Sequence, residues 1–202
     1  MNVIGIDYQW TVSVVSLREG HAPRWPPVSV GDGQWPVIPN AVLHSGLWGS
    51  EALTSPPSAR HCGADTPGEG PWTTAPGATA FWQGLARRFR AFLGCVEPTQ
   101  YLDQIVVALQ AVDFQAATEQ VRALCRPAGL GEPLCIPAGH AALLAALQGV
   151  PPRVLNTRED TTVMAVVVVG DRCVQVVAAR LRHEGAQWRV IATADPLSIF
   201  HT

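Results

Sequence analysis

The sequence predicts a mixed α/β fold, in which helices pack on a partly parallel sheet and a C-terminal three-strand meander follows. The hydrophobic pattern gives three strands and a loop, then helix, strand, helix, strand, helix, and finally three strands. Helices between the middle strands imply parallel crossovers, while hairpins near both ends imply antiparallel edges. Hydrophobic residues make up 48% of the 202 residues and charged residues only 15%, so the chain forms a sizeable core.

The first third of the chain is rich in strands. Alternating apolar residues predict a hairpin of strands 3–7 and 11–17, with a third strand over 37–43. Residues 53–78 then contain nine prolines and glycines. This composition predicts an irregular loop that forms neither helix nor central strand.

The middle of the chain predicts an amphipathic helix over 81–93, ended by Gly94. Its apolar residues are Phe81, Leu85, Phe89, Phe92 and Leu93. Three arginines, Arg87, Arg88 and Arg90, occupy the other side. A solvated helix surface explains them, and an anion or membrane contact is the alternative.

The remaining elements alternate and then become all-strand. The pattern predicts strands at 104–109 and 133–136, helices at 114–125 and 138–148, and strands at 162–169, 174–181 and 187–193. The small residues of 141–147 predict a helix that is largely buried against the sheet.

Composition excludes several classes of function. Fourteen basic and sixteen acidic residues give a net charge of −2, so we expect no nucleic-acid partner. No apolar run is long enough for a transmembrane helix and no leader sequence is visible, which predicts a cytoplasmic protein without a membrane contact. Five cysteines without a C-x-x-C pair indicate reduced thiols. His61-Cys62 stands without companion ligands, so we expect no metal site.

Several segments resemble the DnaK-type heat-shock chaperone ATPase domain, a member of the actin and sugar-kinase superfamily. Residues 3–13, V-I-G-I-D-Y-Q-W-T-V-S, are similar to its first phosphate loop, I-G-I-D-L-G-T-T-N-S. Further similarities follow in order, at 35–42 and 48–52 ("R-T-T-P-S-V-V", "V-G-E-A-A"), 104–130 (a "P-A-Y-F" turn and a helix ending "A-G-L"), 134–147 ("N-E-P-T-A-A-A-L") and 163–193 ("D-L-G-G-G-T"). The resemblance implies a ribonuclease-H-like, actin-like ATPase lobe.

The resemblance also implies that the phosphate-binding groups are altered. In that family, two glycine-rich hairpins hold the phosphates of the nucleotide through backbone amides. The first hairpin here keeps Asp7 and Thr11, but Gln9 and Trp10 replace a glycine and a threonine. A bulky indole at a phosphate turn disfavours nucleotide.

The second hairpin departs further from the family pattern. Val168 falls on the family's aspartate, and Gly170, Asp171 and Arg172 fall on its three glycines, so that one glycine is retained. Ile136 falls on the family's glutamate and Ala111 on its switch proline, while the short loop 53–78 replaces the subdomain carrying the catalytic lysine.

These departures predict a non-catalytic relative, a protein-binding accessory, assembly or scaffold factor that needs no cofactor. The alternative is an ATP-binding or ATP-hydrolysing module completed by a partner subunit or a second copy, with Asp7, Thr11 and Gly170 at the nucleotide. A third reading is an unrelated thiol enzyme using Cys62 or Cys173. The expected organisation is an ATPase-like lobe at 1–150 and a meander at 151–202 that starts a truncated second lobe.

The meander predicts where a partner binds. Its strands are too apolar to face water on both sides. We expect Val166, Val168, Val174, Val176 and Trp188 to form a surface for a homodimer or for another protein. The alternative is that local helices or residues 196–202 fold back over this surface.

Overall fold

The computed structural model describes residues 2–9, 12–18, 20, 28–29, 37–40, 42–43, 48–54, 56, 60–62, 75–111, 113–149, 161–170, 173–184 and 187–200. Within these ranges the elements are, in chain order, β1 (Val3–Tyr8), β2 (Val12–Arg18), β3 (Val28–Ser29), β4 (Val37–Pro39), β5 (Val42–Leu43), α1 (Ser50–Leu53), β6 (Arg60–Cys62), α2 (Ala75–Leu93), α3 (Pro98–Tyr101), β7 (Gln104–Leu109), α4 (Phe114–Cys125), β8 (Leu134–Pro137), α5 (Ala138–Gly149), β9 (Thr161–Val169), β10 (Cys173–Glu184), β11 (Gln187–Thr193) and β12 (Leu197–Phe200). The predicted mixed α/β fold is confirmed.

Contacts along the chain divide it into two compact units. The first unit comprises Met1–Leu109 and Asp113–Cys135, and the second comprises Gln110–Val112 and Ile136–Thr202. Helix α5 therefore groups with the C-terminal strands.

The first unit is built on a six-stranded mixed sheet. Its strand order is β3–β2–β1–β7–β8, and β4 also pairs with β2. Strand β1 runs antiparallel to β2 and parallel to β7, which confirms the predicted hairpin and the predicted parallel pairing in part of the sheet. Ile4, Ile6 and Tyr8 alternate along β1 and are buried, so one face of this central strand forms core.

Aromatic side chains of α2 pack against the end of β1. The ring of Tyr8 lies 5.5 Å from that of Phe81 and 5.1 Å from that of Trp82. Trp48 approaches Phe81 edge-on at 5.6 Å. Gly84 makes this approach possible, because a Cβ there would overlap the Trp48 indole. The amphipathic helix predicted at 81–93 is thus fixed by its aromatic face.

Two predictions in the first unit are wrong. Residues 53–78 are not irregular throughout, since β6 pairs with β5 and α2 already begins at Ala75. Pro76 is the second residue of α2, where the missing amide hydrogen is tolerated because the first turn has no intrahelical acceptor for it. The predicted strand 37–43 is split at Asn40 into β4 and β5, which belong to different sheets.

The second unit contains the predicted three-strand antiparallel meander as β9, β10 and β11, and β12 extends it to a four-stranded sheet. Strand β10 pairs with β9 on one side and with both β11 and β12 on the other. Residues 197–200 thereby pair with the edge of β10, with Val176 opposite Leu197. They extend the sheet instead of folding over its face.

Helix α5 packs on this sheet by a narrow stripe. Leu143 is buried against Val177, Ala179 and Leu181. The prediction that residues 141–147 are largely buried is wrong, because Leu144 is 52% exposed and Leu143 alone among these residues is buried. An α-helix on a single sheet turns only part of its surface inward.

Candidate functional site

The first candidate site residue, Asp7, lies near the end of β1 and is held by its own neighbour. The Gln9 side-chain amide donates to Asp7 Oδ2 at 2.7 Å. Gln9 stands where the resemblance leads us to expect a glycine. Gln9, which replaces the glycine, therefore also donates a hydrogen bond to one carboxylate oxygen of the retained Asp7.

A buried polar network holds the backbone of Gln9, directly after β1. Ser13 and Asn40 are 0% and 1% exposed, and Ser13 Oγ donates to Asn40 Oδ1 at 2.7 Å. The Asn40 amide in turn donates to the backbone carbonyl of Gln9. Ser13 and Asn40 satisfy each other's buried polar groups, and Asn40 links the residue after β4 to Gln9 after β1. We did not predict this network. The signal was that Ser13 shares a strand face with the buried Val15, since a serine on a buried face needs a hydrogen-bond partner in the core.

Several predicted site residues lie outside the described residues. They are Trp10, Thr11, Asp171 and Arg172 of the two hairpins. The side chains of His61, Cys62 and Cys173 are likewise outside what the structure describes.

The second hairpin retains Gly170, which lies directly after β9 against the side chain of Gln110. Gln110 follows β7 and is 0% exposed. In the described part of the chain, both polar atoms of its side-chain amide, Oε1 and Nε2, lack a hydrogen-bond partner. A Cβ at residue 170 would overlap that amide. Gly170 is thus needed for the close approach of a buried side chain.

The N-terminus of α5 is also engaged by the protein itself. Gly139 donates its backbone N–H to Gln175 Oε1 at 2.9 Å, and Gln175 is 2% exposed on β10. A first-turn amide of a helix has no intrahelical acceptor and commonly binds an external one. Here that acceptor is a buried glutamine of the neighbouring strand.

The five predicted interface residues do not share one face of the C-terminal sheet. Val166 and Trp188 pack against the buried cluster around Val177, on the side of α5. Val168 lies opposite Gln175, which places it on that same inner side. Val174 and Val176 alternate with the buried residues of β10 and lie on the opposite side.

This opposite side, which we call the outer face, is a continuous apolar surface across three strands. Cross-strand pairing aligns Val169, Val174 and Ile199 in one row and Val167, Val176 and Leu197 in the next. Exposure is 58% for Val167, 74% for Val169, 62% for Leu197 and 52% for Ile199. The strict alternation of β9 and β10 produces it, because a strand places every second side chain on the same face.

Two thiols of the first unit are poor nucleophiles. Burial raises the pKa of Cys125 and of Cys135 above the usual range for a thiol, so both stay protonated near neutral pH. In the part of the chain that is described, no group of three or more histidine, cysteine or acidic residues could hold a metal ion. The described helices include none long and apolar enough to cross a membrane.

Comparison with solved structures adds to this geometry. The chain is similar to a crystal structure of MreB 5 of Spiroplasma citri bound to AMPPNP, with a TM-score of 0.56 and 11% identity. The alignment covers 99% of this chain and 52% of that chain, so this chain spans about half the length of the MreB chain. The fold is that of an actin-like ATPase lobe.

The expected actin-like fold is therefore confirmed, and this similarity does not single out the chaperone branch. No family model matches the sequence, and the search of curated proteins found no match.

Proposed function

We propose that this actin-like lobe is a non-catalytic, protein-binding factor whose partner covers the outer face of the C-terminal sheet. The observation that carries the proposal is the pair of apolar rows on strands β9, β10 and β12, of which Val167, Val169, Leu197 and Ile199 are more than half exposed. A contiguous apolar patch of this kind is typical of an interaction surface.

The charge around the outer face indicates the chemistry of its partner. Arg180 and Arg182 continue the same face of β10 beyond the valines, and both are exposed. Arg189 lies opposite Arg182 and forms an ion pair with Glu184 at 3.5 Å. We therefore infer a partner surface with an apolar centre and acidic residues at one end. A second copy of the chain is the competing occupant.

The loss of phosphoryl transfer is supported by the two hairpins. The Gln9 amide binds Asp7, and the Gln110 side chain occupies the space next to Gly170. Asp7 and Gly170 thus each have a contact within their own unit, and Thr11 lies outside the described residues. Enzymes that transfer phosphoryl groups depend on such residues being directed at the nucleotide, its metal or the attacking water.

Solution mass tests the protein-binding proposal. We expect light scattering of the protein, purified from its own cells, to give a mass above the 21.6 kDa of one chain. Val167→Lys and Val176→Lys place a charge on the outer face and should reduce the mass to that of the monomer. Val96→Lys is the matched control, because Val96 is 84% exposed in the first unit. A monomer without a co-purifying partner in all cases would refute the proposal.

Nucleotide binding is the second candidate function. The MreB structure with the similar fold is described as bound to AMPPNP. Asp7, Thr11 and Gly170 stand at the positions that the resemblance to the chaperone ATPase domain assigns to its phosphate hairpins. A site completed by a partner subunit or a second copy would use them. Nucleotide-dependent protection from unfolding separates this candidate from the first.

A further inference from the structure

A depression in the first unit is lined by two arginine side chains that form no ion pair with the described residues. Its volume is about 270 Å3, and its lining residues are Gln83, Arg87, Arg90, Pro127 and Ala128. We call it the arginine pocket. Gln83, Arg87 and Arg90 are spaced by four and then three residues, which places them on one face of α2.

The structure holds one of the two guanidinium groups in place. Arg90 Nη2 donates to the backbone carbonyl of Ala128 at 3.2 Å, across the turn that follows α4. Arg90 Nε is buried and, among the described residues, has no hydrogen-bond partner. Gly129 gives the guanidinium room, because a Cβ there would lie 2.9 Å from Arg90 Nη2. The Arg90 guanidinium is therefore held in place before any ligand binds, and its Nε–H remains available as a donor.

The neighbouring charges leave the pocket positive. Helix α2 contains three arginines and no acidic residue. Arg88 stacks over the Trp48 ring at 5.0 Å and so is engaged elsewhere. Glu132, the acid closest in sequence to Pro127 and Ala128, is shared by Arg122 at 3.5 Å and Arg126 at 3.7 Å. Within the described part of the chain, neither Arg87 nor Arg90 forms an ion pair.

We propose that the arginine pocket binds a dianionic phosphate group. Two adjacent guanidinium groups provide planar forks of donors, and such forks match the oxygens of phosphate. The Gln83 amide supplies a further donor beside them. A phosphate monoester and inorganic phosphate share this chemistry, and both fit in the volume. This site is independent of the outer face and of the two hairpins.

Calorimetric titration of the full chain tests the pocket. At constant ionic strength, we expect inorganic phosphate or glycerol phosphate to bind at millimolar concentration or below, while acetate does not. Arg87→Gln should weaken binding about tenfold or more, and it should leave the fold intact because Arg87 is exposed. Arg182→Gln, an equal loss of charge in the second unit, should change the affinity little.

The outcomes are decisive in both directions. Binding of either phosphate that Arg87→Gln removes supports the pocket, and a preference for the ester assigns an organic phosphate. The proposal fails if neither phosphate binds more tightly than acetate. It also fails if Arg87→Gln binds like the original chain, or if Arg182→Gln weakens binding equally. Arg90→Gln provides a second variant, whose melting temperature reports separately on the lost contact with Ala128.

Discussion

Two side chains contact the residues that the resemblance assigns to nucleotide binding. The Gln9 amide donates to Asp7, and Gly170 leaves room for the side chain of Gln110. A glycine can thus be kept for packing where a family comparison assigns it to phosphate binding. The packing role and the phosphate-binding role of Gly170 are distinguishable, because only the packing role depends on the side chain of Gln110.

Gly170→Ala tests the packing role. We expect the change to lower the free energy of unfolding by about 1–3 kcal/mol, because the added Cβ overlaps the buried Gln110 amide. In a Gln110→Ala background the same change should cost much less, since the overlapping atoms are gone. Urea denaturation of the four proteins measures this coupling. Equal costs in the two backgrounds, within about 0.5 kcal/mol, would show that the contact does not explain the glycine.

At the scale of elements, α2 is stabilised mainly by one aromatic face. Phe81, Trp82, Leu85 and Phe89 are at most 1% exposed, whereas Phe92 of the same predicted apolar stripe is 46% exposed. Phe89 and Phe92 therefore form a natural matched pair.

The pair predicts two different costs. We expect Phe89→Ala to reduce the free energy of unfolding by about 3–5 kcal/mol, because it leaves a cavity in the core. Phe92→Ala should reduce it by less than about 1 kcal/mol, since the side chain is half in water. Chemical denaturation followed by circular dichroism measures both. Similar losses for the two variants would contradict the packing described for α2.

Periodicity predicts elements well where the apolar pattern repeats, as in β1, α4 and β10. It fails where contacts distant in sequence decide the structure. Strand β12 owes its conformation to pairing with β10, and β6 owes its own to pairing with β5. The interface residues were predicted by apolar character alone, which cannot separate the inner Val166 from the outer Val167. Likewise, no local pattern relates Gln110 to Gly170 or Ser13 to Asn40.

At the scale of the whole molecule, the chain combines an actin-like fold with hairpin residues that differ from those of the chaperone ATPase domain it resembles. The similarity to MreB covers nearly all of this chain at 11% identity, which shows how little of the fold depends on particular residues. The function of this chain therefore depends on its individual sites and not on the fold alone. The outer face, the arginine pocket and the two hairpins are separate sites, and each is tested by different variants.

We propose that the retained Asp7 and Gly170 serve contacts within their own units and bind no nucleotide. A thermal unfolding titration with ATP and magnesium tests it most directly, since a ligand at 100 times its Kd stabilises a protein by about 2.7 kcal/mol. We expect no rise in Tm at millimolar ATP in the original chain, and none in Asp7→Ala relative to the same variant without ATP. A clear rise in Tm with ATP that Asp7→Ala abolishes would contradict the claim.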